Sequence, residues 1–201
     1  EIYVGLLAAT ILFIATNAGI IGVSRLVYSM GVHRQVPDGL RRLKAIFREF
    51  GGSEESEEAV MLGLAWLTQM QQQAGNWRYD GVARGDHASA TGLAVLAFLG
   101  AGQSHQAGRY QQTVRAGLDW LVGDVDMTQG PARGRFKSIL NMYSQGIATL
   151  ALCEASGMTQ DARVRAAAQA AVEYVQRAQG PNGSWGYAAG AAGDTSIVGW
   201  Q

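Results

Sequence analysis

Cys153 is the chain's single cysteine, so neither an internal disulfide framework nor a multi-cysteine metal site can form. Proline is nearly as scarce, three residues against 27 glycines. Glycine therefore serves turns and close packing more than disorder. Net charge is also lacking: 16 Lys and Arg balance 16 Asp and Glu, which removes any general attraction to nucleic acid or to acidic membranes. What is present is 48% hydrophobic and 16% charged residues over a length of 201, the composition of a packed globular chain of one or two domains. The sequence starts at Glu1 and stops within the apolar "TSIVGWQ", and so reads as a fragment.

Formal charge is absent from the front of the chain. Ile2 to Val23 is a run of 22 uncharged residues. As a helix it would be roughly 33 Å long, enough to cross the hydrocarbon core of a bilayer. Arg25, Arg34, Arg41, Arg42, Lys44 and Arg48 follow, against Asp38, and the positive-inside rule places this flank in the cytoplasm. The expectation is a transmembrane-type helix in residues 1–24, a basic amphipathic linker in 25–53, and a separate domain in 54–201. On that reading the domain lies on the cytoplasmic side of a membrane; it would be soluble if the front segment is not native to it. The stretch "ATNAGIIGVSRLVYSMGVHRQVPDGLRRL" (Ala15 to Leu43) resembles a late transmembrane helix and loop of an amino acid–polyamine–organocation permease. The resemblance ends near residue 45, and the broken substrate-binding helices of such transporters are not in it.

Beyond residue 53 the chain repeats itself. "GLAWL" (Gly63 to Leu67) returns as "GLDWL" (Gly117 to Leu121) and "AVEYV" (Ala171 to Val175), which places Trp66, Trp120 and Tyr174 at intervals of 54. A second series interleaves with it, headed by Gly92, Gly146 and Gly199. Each unit therefore has two elements. The first series has apolar residues at three-to-four spacing and predicts amphipathic helices, with Ser53 or Ser56 as candidate caps of the first. The second is apolar nearly all round and predicts helices buried on most sides. Trp77 and Trp185, in "QQAGNWRY" and "GPNGSWGY", stand two periods apart, and Pro131 falls at the corresponding place in the middle copy. Helix pairs that cannot bury their own faces stack into solenoids or rings.

The "Q…GNW" and "Q…PNGSW" turns (Gln73 to Trp77, Gln179 to Trp185) resemble the QW motifs of squalene–hopene cyclases and the related prenyltransferase and squalene-oxidase repeats. The lines "MYSQGIATLALCEASGMT" and "GDTSIVGWQ" are similar to uncharacterised bacterial proteins of that class. The resemblance covers about residues 54–201. It implies an all-α fold, here about half of an α/α toroid of inner and outer helices. It also gives Gln73, Trp77, Gln179 and Trp185 a structural role, with each tryptophan stacking on the next outer helix and each glutamine capping a helix end.

Cyclases of that class protonate their substrate with a DxDD motif. "DVDM" (Asp124 to Met127) lacks the last acid and follows an outer helix, so it reads as two solvated loop aspartates. Cys153 has no histidine at helical spacing and reads as a small core residue, not a zinc ligand. "CEAS" does not supply the Cys-Gly-Glu-Gln of a complement-type thioester. His33 and His105 lie in polar connectors. No catalytic residue, metal or cofactor is therefore assigned. His87, Asn141 and Asp194 are polar at one repeat position, which capping explains best. The alternative is a polar rim around a pocket, with His87, Tyr143 and Asp194 as candidate ligand contacts. The preferred function is a non-catalytic toroid module for binding or scaffolding. Its partners would be an apolar small molecule or a protein, not nucleic acid, with a membrane contact through residues 2–23 and self-association of the partial ring. The alternatives are a polyisoprenoid cyclase whose acid lies outside the fragment, and a piece of an amino-acid permease.

Overall fold

A computed structural model of the chain describes residues 53–80 and 86–201. The apolar segment 2–23 and the linker up to residue 52 lie outside the described residues. Every regular element among those described is a helix, in keeping with the all-α class, and the nearest thing to a strand is the single antiparallel bridge Val125–Phe136. In chain order the helices are α1 (Glu54–Met70), α2 (His87–Gly100), α3 (Gln111–Asp124), α4 (Met142–Thr159), α5 (Ala162–Arg177) and the short α6 (Thr195–Val198). No described helix is long and apolar enough to cross a membrane. The described residues fall into two compact units, one of residues 53–63 with Gly100–Gly102, the other of Leu64–Leu99 with Gln103–Gln201.

In the smaller unit the first turn of α1 is closed from both sides. Ser56 N–H donates to Ser53 Oγ at 3.2 Å, and Ser53 N–H donates to Ser56 Oγ at 3.0 Å. Two free backbone donors of the helix start are thereby satisfied reciprocally.

The larger unit follows the two-element pattern of the sequence. α2 and α4 are buried on most faces, whereas α3 and α5 bury one stripe each. Val95 and Phe98 of α2, Val114, Leu118 and Leu121 of α3, Ala148, Ala151 and Leu152 of α4, and Val164 and Ala171 of α5 are all almost fully buried. Phe98 lies between the rings of Trp77 and Tyr110, at 6.2 and 5.3 Å between centroids. Burial of a side chain of this size is worth about 1.5–3 kcal/mol. α4 and α5 form an antiparallel hairpin that also packs on α3. Its bend needs only Gln160, in the left-handed region at φ 56°, and Asp161, whose carboxylate accepts the Arg163 and Val164 N–H groups. The buried helices approach closely at their head glycines: a Cβ on Gly92 would stand 3.1 Å from Ala148 Cα, and one on Gly146 would strike Trp200 O.

Candidate functional site

The tryptophan turns repeat bond for bond. Trp77 donates its indole N–H to Leu67 O at 2.7 Å, and Trp185 donates to Val175 O at 2.8 Å. Gln71 Nε2 donates to Gly75 O at 2.8 Å, and Gln179 Nε2 to Gly183 O at the same distance. Gln71, not Gln73, therefore stands in the place of Gln179, and Gln73 is exposed. Gly75 and Gly183 have φ of +93° and +81°, a region that L side chains rarely adopt.

The middle copy keeps the same geometry under a disguise. Gly134 has φ +88°, and the completely buried Phe136 stands two residues later, where the other turns place tryptophan. The expected equivalence of Pro131 is thus corrected: the middle loop is of ordinary length, but its aromatic, Phe136, stands five residues later in it. Trp77 N–H donates to Thr91 Oγ1 at 3.1 Å, and Phe136 N–H donates to Gln145 Oε1 at 3.1 Å. These two acceptors are 54 residues apart on α2 and α4. The first two turns are also covered by the following amphipathic helix. A Cβ on Gly75 would stand 2.5 Å from Ala116 O, and one on Gly134 would strike Ala170 O, again 54 residues on. A Cβ on Gly117 would be 2.9 Å from the Trp77 ring, so α3 presents a small residue to the indole. At Gly183 the space is open, and Trp185 is half-buried.

Asp124 closes this middle loop. It is buried, at 8% exposure, and accepts both Ser138 N–H at 3.0 Å and Ser138 Oγ–H at 2.8 Å. It is therefore not a solvated loop acid. Asp126 bonds Thr128, whose hydroxyl is the main influence holding that carboxyl below its usual range. Neither aspartate heads a helix. Cys153 is half-buried, its thiol pushed up by desolvation and then by Glu154. His105 lies in a connector but is 2% exposed; its Nε2 faces Asp161 Oδ2 at 3.0 Å, and its Nδ1 has no partner. Among the described residues no three His, Cys, Asp or Glu side chains converge as a metal site would require.

The polar starts of the buried helices cap those helices. The Ser89 N–H is bonded by Asp86, the Tyr143 N–H by Asn141, and the Ser196 and Ile197 N–H groups by Asp194. Two further bonds set the register: Ala88 N–H donates to Ser138 O and Met142 N–H to Tyr187 O, both at 3.1 Å. Residue 87 thus corresponds to 141, but the capping role has passed to Asp86. Of the three candidate contacts, Tyr143 and Asp194 are linked through Ser196, which bonds both. The Ser196 hydroxyl is also the main influence lowering the Asp194 carboxyl. The Tyr143 ring meets Tyr187 edge-on at 5.9 Å, and the Asp194 charge is the main influence raising the Tyr187 phenol. His87 stands apart, with Nδ1 at 3.3 Å from Asn76 Nδ2 and its ring edge-on to Trp120 at 6.4 Å.

Two cavities accompany the aromatic series of the amphipathic helices. One, of about 630 Å³, lies beside Trp66, Met70, Trp77 and Tyr79. The other, of about 600 Å³, lies between Tyr174 and Tyr187, with Arg135, Asn141 and Arg177 in its wall. Sequence reasoning found Tyr174 and Asn141 as repeat positions but not the two arginines, which occur once and follow no period. No family model, curated protein or solved structure matches the chain.

Proposed function

We propose that residues 54–201 are a squalene–hopene cyclase- and prenyltransferase-like repeat module, part of an α/α toroid, that works by binding or scaffolding and not by catalysis. The observation that supports this most is the recurrence of one turn chemistry two periods apart, with the indole bonded back to the preceding helix and a glutamine bonded to the carbonyl of a positive-φ glycine in both. A surface of stacked units suits an apolar small molecule or a protein partner. Exposed Leu140, Trp66 and Tyr187, at 63%, 52% and 55%, supply apolar area for either, and for self-association. The front segment would hold the module at the cytoplasmic face of a membrane.

Incubation of the full chain with squalene and with geranylgeranyl diphosphate tests the reading. The expected result is quenching of tryptophan emission with no change in the lipid by mass spectrometry. A cyclised or transferred product would overturn the non-catalytic assignment.

A further inference from the structure

The start of a buried helix comes up against the aromatic of the following amphipathic helix twice among the described residues. In the first instance the His87 ring stands edge-on to Trp120, 6.4 Å between centroids. In the second the matching residue is Asn141, held at the helix start by its bond to Tyr143 N–H, and a cavity of about 600 Å³ remains beside Tyr174. Position 87 is free to carry a ring because Asp86 does the capping there; at the corresponding position 140 the chain has Leu140, so Asn141 must cap.

We propose that the open groove at Tyr174 is a binding site for a planar aromatic anion, and that the residue at position 141 decides whether it is open. The volume is within the range of about 300–1,000 Å³ typical of small-molecule sites. Two phenol rings, Tyr174 and Tyr187, offer faces for stacking, while Met142 and Ala178 supply apolar floor. The cationic side chains in the wall are Arg135 and Arg177, and no carboxylate lines it. Arg177 is held with its guanidinium 6.0 Å from the Tyr174 ring centre and one N–H on Arg133 O, which leaves further donors for a ligand. The nearby acids are engaged elsewhere: Glu173 pairs with Arg133 at 2.6 Å, and Asp194 bonds Ser196 and the start of α6. A guanidinium and a stacked ring together select a flat group that bears negative charge. The proposal rests on the repeat register and goes beyond membership of any family.

The test uses the full chain and 1-pyrenesulfonate as probe, followed by its fluorescence. Saturable binding is expected, weakened about tenfold or more in the double variant Arg135→Gln/Arg177→Gln. The pair Leu140→Asn/Asn141→His transplants the arrangement of a capping residue before a ring without adding charge, and should abolish binding without removing either arginine. Asn141→Ala loses the cap but leaves the groove empty, so it should still bind. Far-ultraviolet circular dichroism confirms that each variant is folded. Equal binding by the transplanted pair, loss of binding in Asn141→Ala, or equal affinity for uncharged 1-pyrenemethanol would each overturn the assignment.

Discussion

Trp77 and Trp185 make the same indole bond, yet their surroundings differ. Trp77 is 3% exposed and rests on Gly117 of α3, whereas Trp185 is half-buried. Trp77→Ala should therefore cost about 3–5 kcal/mol in urea unfolding, and Trp185→Ala distinctly less. Equal losses would mean that the cover from α3 contributes nothing. Asp161 gives a second test at this scale. Backbone bonding to Arg163 is the largest influence lowering its carboxyl, and His105 adds to it. A carboxyl lowered in the fold stabilises above its unfolded value of about 3.9, and that contribution is lost as pH falls through the folded value. Asp161→Asn, which keeps a capping side chain, should flatten the acid limb of the stability profile. An unchanged acid limb would remove Asp161 from the account. Individual residues were the least legible part of the sequence. In the run Gln71–Gln73 the composition alone does not say which glutamine reaches back, and His105 sits in a polar stretch that the fold covers.

The helices were legible, because periodicity and caps are local properties. Ser53 and Asn141 each stand where a helix begins and bond one of its first amides. The middle turn was not legible, since its aromatic stands five residues later within a loop of ordinary length, off the fixed period, and is Phe136 and not tryptophan. What identifies it is spatial: the φ of Gly134, its approach to Ala170, and the bonds of Gln145. Asp124 anchors that turn to the end of α3 through Ser138. Asp124→Ala should cost roughly 1–3 kcal/mol in chemical denaturation, because a part-buried amide loses its acceptor. Asp124→Asn should recover part of the loss. A neutral Asp124→Ala would show that the backbone bonds of the loop and those of Gln145 hold it without the carboxylate.

At the scale of the whole molecule, the sequence divides into a front segment outside the described residues and a helical repeat within them. If Ile2–Val23 spans a bilayer, the full chain should resist carbonate extraction from membranes, and release into the soluble fraction would contradict that expectation. For the repeat, the central claim is that the glycine turns at Gly75 and Gly134 dock on the next amphipathic helix. Gly75, Gly134 and Gly183 share one backbone conformation but not one environment: the first two abut Ala116 and Ala170, and the third faces open space. Alanine at any of them costs about 1–2 kcal/mol for the left-handed backbone alone. The decisive measurement is the unfolding free energy of Gly75→Ala, Gly134→Ala and Gly183→Ala in one series. Docking predicts that Gly183→Ala loses only the backbone cost while the other two lose well beyond it, Gly134→Ala most of all; three equal losses would contradict it.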